Sequence, residues 1–96
     1  MDKEKIKSEL VDESNNILAK YAEPYIVESV SVMNMAAKTV FLGSLRVYNE
    51  DVVSDIVKDL KKQLKGYGQL SIRDEKVVPC CAPNYIHISY NISIKN

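Results

Sequence analysis

The feature that most restricts the fold is a strict alternation near the end of the chain, between Tyr85 and Ile94. Isoleucine or tyrosine occupies every second position: Ile86, Ile88, Tyr90, Ile92 and Ile94. Successive side chains of a β-strand point to opposite faces of the sheet, so the pattern predicts a strand with one buried and one solvated face. A chain with such a strand must build a sheet and cover one side of it.

A first amphipathic helix is predicted from Lys3 to Tyr21. Its apolar residues recur at steps of three and four: Ile6, Leu10, Ile17, Leu18 and Tyr21. Asp2 is expected to cap its start and Pro24 to stop it, because proline disfavours helical dihedrals in the preceding residue. The apolar stripe is interrupted near Glu13 and Ser14. That interruption predicts a lightly packed section or one that faces a partner.

A second amphipathic helix is predicted from about Glu50 to Lys65. One face of it is apolar: Val53, Ile56, Val57, Leu60 and Leu64. Asn49 is a natural N-cap, and Gly66 is expected to close the helix in the left-handed conformation. Leu60 and Leu64 are expected to pack against the sheet.

The segment between these helices allows two interpretations. Its many β-branched and aromatic residues favour a hairpin with strands at about 25–34 and 39–48. In the alternative, a single helix runs from the proline to a stop at Gly43. The hairpin is favoured, because valine and serine are poor helix formers. On strands, Met33 and Met35 are expected in the core rather than on a binding surface.

One more strand is predicted where Leu70 and Ile72 alternate with polar residues, ending at the charged run 74–76. With the strand at 85–94, the order becomes helix, two strands, helix, two strands. We therefore expect residues 1–96 to form a single α+β domain. Two helices should pack on one side of a mostly antiparallel sheet.

The charge balance argues against a general attraction to polyanions. Thirteen Lys and Arg residues oppose thirteen Asp and Glu residues, a formal net charge of zero, so self-repulsion between copies is weak. Charges are spread over the start of the chain, and no apolar run reaches the roughly 20 residues needed to cross a bilayer. We expect a cytoplasmic protein with no secretion signal and no membrane partner.

Three residues could carry catalysis or a metal: Cys80, Cys81 and His87. Adjacent cysteines lack the C-x-x-C spacing with which two thiolates hold one zinc ion, and a fourth ligand is missing. His87 is expected on the solvated face of its strand, without a paired nucleophile. We expect ordinary, partly buried thiols, no catalytic or metal-binding residue and no cofactor. A small cysteine- or metal-dependent enzyme is the least favoured function.

A basic segment supports a nucleic-acid-binding function as the alternative. It joins lysines at the end of the second helix to a turn tyrosine and a strand arginine: Lys58, Lys61, Lys62, Lys65, Tyr67 and Arg73. Such residues can contact phosphates and stack on a base. The pattern is unspecific, because the helix dipole alone favours lysines at a helix C-terminus.

The favoured function is a non-enzymatic protein-interaction module that acts as a homodimer. The strand at 85–94 would offer free backbone groups if it lay at a sheet edge. Its polar side chains would border the contact between copies: His87, Ser89, Asn91 and Ser93. The expected partner is a protein, in the first place a second copy. Small factors encoded by viruses or mobile elements are often of this kind, and such an origin would fit.

Overall fold

The chain follows the predicted order of helix, two strands, helix, two strands. The structure, a computed structural model, describes residues 2–21 and 27–95. Its elements are α1 (Lys3–Lys20), β1 (Val27–Asn34), β2 (Lys38–Val47), α2 (Val53–Leu64), β3 (Gln69–Val77) and β4 (Tyr85–Lys95). The four strands form one antiparallel sheet, which confirms the predicted α+β class.

The strands lie in the order β1-β2-β4-β3, so β4 is hydrogen-bonded on both sides. The dimer contact suggested for the strand at 85–94 required that strand to lie at a sheet edge, and this condition is not met. Alternation defines the two faces of a strand but not its place in the sheet, and β4 pairs with β2 on one side and β3 on the other. Within the described residues, the edges of the sheet are β1 and β3.

Both helices pack on the same face of the sheet. The alternating apolar residues of β4 point to that face, and Ile88 and Ile92 are fully buried there. The other core residues include Leu10 and Leu18 of α1, Phe41 and Leu45 of β2, and Ile56, Leu60 and Leu64 of α2. The predicted burial of Leu60 and Leu64 is confirmed.

The interruption in the apolar stripe of α1 is filled from the sheet. Ser14 is 1% exposed, and its hydroxyl lies 3.1 Å from the hydroxyl of Tyr90. The expectation of a lightly packed or partner-facing section is therefore wrong at Ser14. The predicted cap is confirmed, since the Lys5 backbone N–H donates to the Asp2 carboxylate at 3.1 Å. Pro24, the expected helix stop, lies outside the described residues.

The hairpin interpretation is confirmed over the described part of the segment, from β1 to β2. Residues 25 and 26, the expected start of the first strand, lie outside the described residues. Met33 and Met35 are each 46% exposed, so their expected place in the core is wrong. The strand register directs Val30 and Val32 toward the helices and Met33 to the opposite face.

The second helix begins with a short 3-10 turn, Glu50–Val52. Asn49 caps it as predicted, accepting the Asp51 backbone N–H at 3.0 Å. Gly66 does not adopt the expected left-handed conformation. The turn after the helix is closed instead by a hydrogen bond from the Tyr67 backbone N–H to the Leu64 carbonyl at 3.1 Å.

Strand β3 also departs from its prediction. It does not end at the charged run 74–76 but continues to Val77, because every residue of the run pairs with β4. An edge strand tolerates such charges, since its outer side faces solvent.

Candidate interaction surfaces

One face of the sheet carries no helix, and no described element covers it. We call this side the open face. It holds the polar side chains of β4 together with their neighbours on β2 and β3: His87, Ser89, Asn91 and Ser93, beside Ser44, Arg46, Ser71, Arg73 and Glu75. The four β4 residues expected to border a dimer contact thus lie together on the open face. They are not at a backbone edge.

Small side chains leave a shallow depression of about 230 Å³ in the middle of the open face. Its polar lining includes Ser44, Ser89, Asn91 and the exposed Arg73. A neighbouring depression of about 320 Å³ adds His87 and Glu75. Neither of these two depressions is lined by a cysteine.

Aromatic residues lie at one end of the open face. The Arg46 guanidinium carbon is 4.5 Å from the centroid of the Tyr85 ring. The Tyr48 and Tyr85 rings pack tilted, with their centroids 5.9 Å apart. A guanidinium over an aromatic face is attracted by the ring quadrupole. The sequence pattern did not single out this group, because its members are joined only by the pairing of β2 with β4.

The six residues of the expected nucleic-acid surface do not form one surface. Arg73 lies on the open face, whereas α2 packs on the other side of the sheet. Tyr67 is half-buried, and its hydroxyl donates to the Glu9 carboxylate at 3.2 Å. Burial, then the negative charge of Glu9, raises the pKa of Tyr67. Its ring is therefore held against α1 rather than presented to solvent.

The lysines of that set remain together on the outer side of α2 and the turn after it: Lys58, Lys61, Lys62 and Lys65. All four are exposed, and none forms an ion pair with a described residue. The carboxylate of Asp59, on the same helix, binds the end of α1. It accepts hydrogen bonds from Lys20 at 3.1 Å and from the Tyr21 hydroxyl at 2.7 Å.

The two cysteines lie in the loop 78–84 between β3 and β4, and their sulfur atoms are 3.3 Å apart. Both are exposed, so the expectation of partly buried thiols is wrong. In the described part of the chain, no group of three or more His, Cys, Asp and Glu side chains could hold a metal ion.

The two edges of the sheet differ in charge. Strand β3 carries four consecutive charged residues, from Arg73 to Lys76, whereas β1 has no proline and a single charged residue, Glu28, so that Val30–Asn34 carries neither. Charges on an edge strand discourage pairing with another chain, and an uncharged edge permits it. The sequence suggested a contact through β4 only if that strand lay at an edge. The charge contrast indicates β1 only once the strand order is known.

Among the described helices, none is long and apolar enough to cross a membrane. The described geometry offers a sheet edge with a single charged residue, an open polar face and a basic helix surface as candidate sites. Comparisons with protein-family models, with curated proteins and with solved structures find no match for this chain.

Proposed function

We propose that the protein is a non-enzymatic interaction module that acts as a homodimer in the cytoplasm, with the outer edge of β1 as the contact between copies. One observation carries the proposal: β1 is an edge strand without proline whose only charged residue is Glu28, while the other edge, β3, carries four consecutive charges. Unpaired backbone groups at such an edge are a template for another strand.

The hairpin indicates which backbone groups are free for this contact. The Met35 backbone N–H donates to the Lys38 carbonyl at 2.9 Å, so these two residues form a hydrogen-bonded pair at the turn. Hydrogen-bonded and non-hydrogen-bonded pairs alternate along an antiparallel ladder. The backbone groups of Ser31 therefore point toward β2, and those of Val30 and Val32 point outward.

A second copy of β1 can meet these outward groups in antiparallel orientation about a two-fold axis. The N–H and C=O groups of Val30 and Val32 would then pair reciprocally, which is the contact required by the commonest oligomer symmetry. Ser31 lies between them and would sit beside the axis, with its exposed side chain on the open face. The zero net charge adds little repulsion between copies.

Two parts of the proposal come from the sequence. Adjacent cysteines without further cysteines suit a reducing compartment, which supports the cytoplasm. The spacing of the two cysteines and the histidine matches no nucleophile–base or zinc pattern, which supports a non-enzymatic role.

Sedimentation velocity of the full chain tests the dimer. Wild type should sediment as a dimer, at twice the 10.9 kDa chain mass, across micromolar concentrations. Ser31→Lys and Ser31→Glu should each be monomeric, because like charges would meet beside the two-fold axis. Mixing the two variants should restore a dimer, since opposite charges then face each other.

Ser71→Lys is the matched control, because Ser71 lies on the open face of β3, at the other edge of the sheet. It should remain dimeric. A monomeric wild type would overturn the homodimer. A dimer lost in Ser71→Lys and kept in Ser31→Lys would move the contact away from β1.

A nucleic-acid-binding function is the second candidate, supported by the exposed lysines of α2 that lack ion-pair partners among the described residues. Binding to phosphates would fall steeply with salt, because it displaces condensed counterions. Lys61→Glu with Lys62→Glu should abolish binding to single strands and duplexes without unfolding the protein. No binding by wild type at low salt would remove this candidate, while leaving the dimer proposal intact.

A further inference from the structure

The loop between β3 and β4 presents two adjacent thiols to solvent. The sulfur atoms of Cys80 and Cys81 are 3.3 Å apart, and both residues are exposed. Pro79 and Pro83 bracket the pair, and proline fixes the backbone dihedral φ at its own position. The two thiols are thus close to each other, open to a dissolved reagent and held in a short, restricted segment.

We propose that Cys80 and Cys81 form a redox modification site, which closes to a reversible disulfide between neighbouring residues by exchange with glutathione disulfide. Closure requires the sulfur atoms to approach from 3.3 Å to the bond length of about 2.05 Å. The loop has no helix or strand to break while this happens. This site is separate from the dimer contact and from the basic helix surface.

The exchange takes two steps that balance. In the first, the thiolate of one cysteine attacks a sulfur of glutathione disulfide, forms a mixed disulfide and releases one glutathione. In the second, the neighbouring thiolate attacks the cysteine sulfur of the mixed disulfide and expels the second glutathione. The protein is oxidised by loss of two hydrogen atoms, and glutathione disulfide is reduced to two glutathione molecules.

The second step is favoured by proximity. Its attacking and attacked sulfur atoms belong to adjacent residues, so the reaction is intramolecular and does not depend on a collision. A lone exposed cysteine would stop after the first step, with glutathione still attached. The adjacent arrangement therefore favours the protein disulfide over the mixed disulfide with glutathione.

The disulfide would not act as a structural staple. A cross-link stabilises a protein mainly by restricting the unfolded chain, and this effect grows with the number of residues in the closed loop. No residue separates Cys80 from Cys81, and both lie outside the core. Exposed or strained disulfides are the easily reduced ones, which suits a reversible modification.

Intact-mass measurement of the reduced full chain after incubation with glutathione disulfide tests the proposal. Wild type should lose two hydrogen atoms, carry no glutathione and recover its mass with dithiothreitol. It should release two glutathione molecules per chain, twice the amount released by Cys80→Ser or Cys81→Ser. Each single variant should instead retain one glutathione.

Thermal unfolding serves as the control, because the oxidised and reduced chains should melt at nearly the same temperature. The dimer should also persist after oxidation, since β1 lies at the opposite edge of the sheet from β3. Wild type that keeps bound glutathione, forms covalent dimers or remains fully reduced would overturn the inference. These three contradicting outcomes do not depend on whether the β1 contact exists.

Discussion

The hydroxyl groups of Ser14 and Tyr90 lie 3.1 Å apart inside the core, where they join α1 to the central strand β4. Both residues are almost fully buried, at 1% and 2% exposure. A buried hydroxyl without a partner is costly, so each group here satisfies the other. Burial raises the pKa of Tyr90, and the hydrogen bond with Ser14 opposes this in part.

The effects of removing the two partners of this pair on stability should be less than additive. We expect Ser14→Ala and Tyr90→Phe each to lower the free energy of unfolding by roughly 1–3 kcal/mol, because each leaves one buried hydroxyl unpaired. The double variant should lose less than the sum of the two. Urea unfolding of the four proteins measures this coupling, and strictly additive losses would show that the hydrogen bond is absent.

The same pair shows what the sequence could and could not establish. Alternation in β4 correctly predicted Tyr90 on the buried face, and helical spacing correctly predicted α1. Neither pattern could predict that the tyrosine would reach Ser14, because a polar residue in an apolar stripe is interpreted as a gap until its partner is known. Contacts between distant segments depend on how the elements pack, not on local periodicity.

Gly43 is expected to be irreplaceable because the Tyr90 ring lies directly over it on the neighbouring strand. A Cβ atom added to Gly43 would be 2.2 Å from the ring carbon Cζ. The ring is fully enclosed, so Gly43→Ala should lower the free energy of unfolding by about 1–3 kcal/mol or more. Adding Tyr90→Leu should recover part of this loss.

Gly66→Ala provides the control for that substitution. A Cβ atom there meets nothing within 4 Å, and Gly66 is outside the left-handed region. Its stability should be unchanged or higher by up to ~1 kcal/mol, because alanine restricts the unfolded chain. Equal effects at the two glycines would contradict the described contact between Gly43 and Tyr90.

The candidate surfaces were harder to predict than the elements. The sequence placed Arg73 beside the lysines of α2 because they are close along the chain, yet the sheet lies between them. It also left open whether β4 lies at an edge, and the strand order places β1 and β3 there. Local patterns describe which way a side chain points, whereas a surface depends on the order in which strands pair.

Leu60 is expected to be among the residues most important for stability, since it is fully buried in the core beneath the sheet. Leu60→Ala should lower the free energy of unfolding by about 2–5 kcal/mol through lost burial and a cavity. Its exposed neighbour offers the comparison, and Lys61→Ala should change stability by no more than ~0.5 kcal/mol. Matching melting curves for wild type and Leu60→Ala would show that this side of α2 does not face the core.

The contact of Asp59 with the end of α1 should make stability depend on pH at both extremes. The hydrogen bond from Tyr21, followed by that from Lys20, lowers the pKa of Asp59 in the folded protein. The contribution of Asp59 to stability is therefore complete above the unfolded carboxyl pKa of about 3.9. It is lost as the pH falls through the lower pKa of the folded protein. Hydrogen bonding to Asp59 also raises the pKa of Lys20 and of Tyr21. The contributions of Lys20 and Tyr21 to stability are complete below about pH 10. They are lost as the pH rises through the raised pKa values of these two groups.

Asp59→Asn should therefore differ most from wild type between about pH 5 and pH 9, where all three groups hold their interacting charge states. The difference in the free energy of unfolding should shrink toward zero on the acid side, because protonated aspartate no longer attracts the Lys20 ammonium. It should shrink again on the alkaline side as Lys20 and Tyr21 lose their protons.

Urea unfolding at a series of pH values measures the difference. Asp12→Asn on the exposed side of α1 removes the same charge without this contact, so its difference from wild type should stay small throughout. A constant gap between wild type and Asp59→Asn at every pH would mean that the carboxylate charge of Asp59 does not stabilise the junction of α1 with α2.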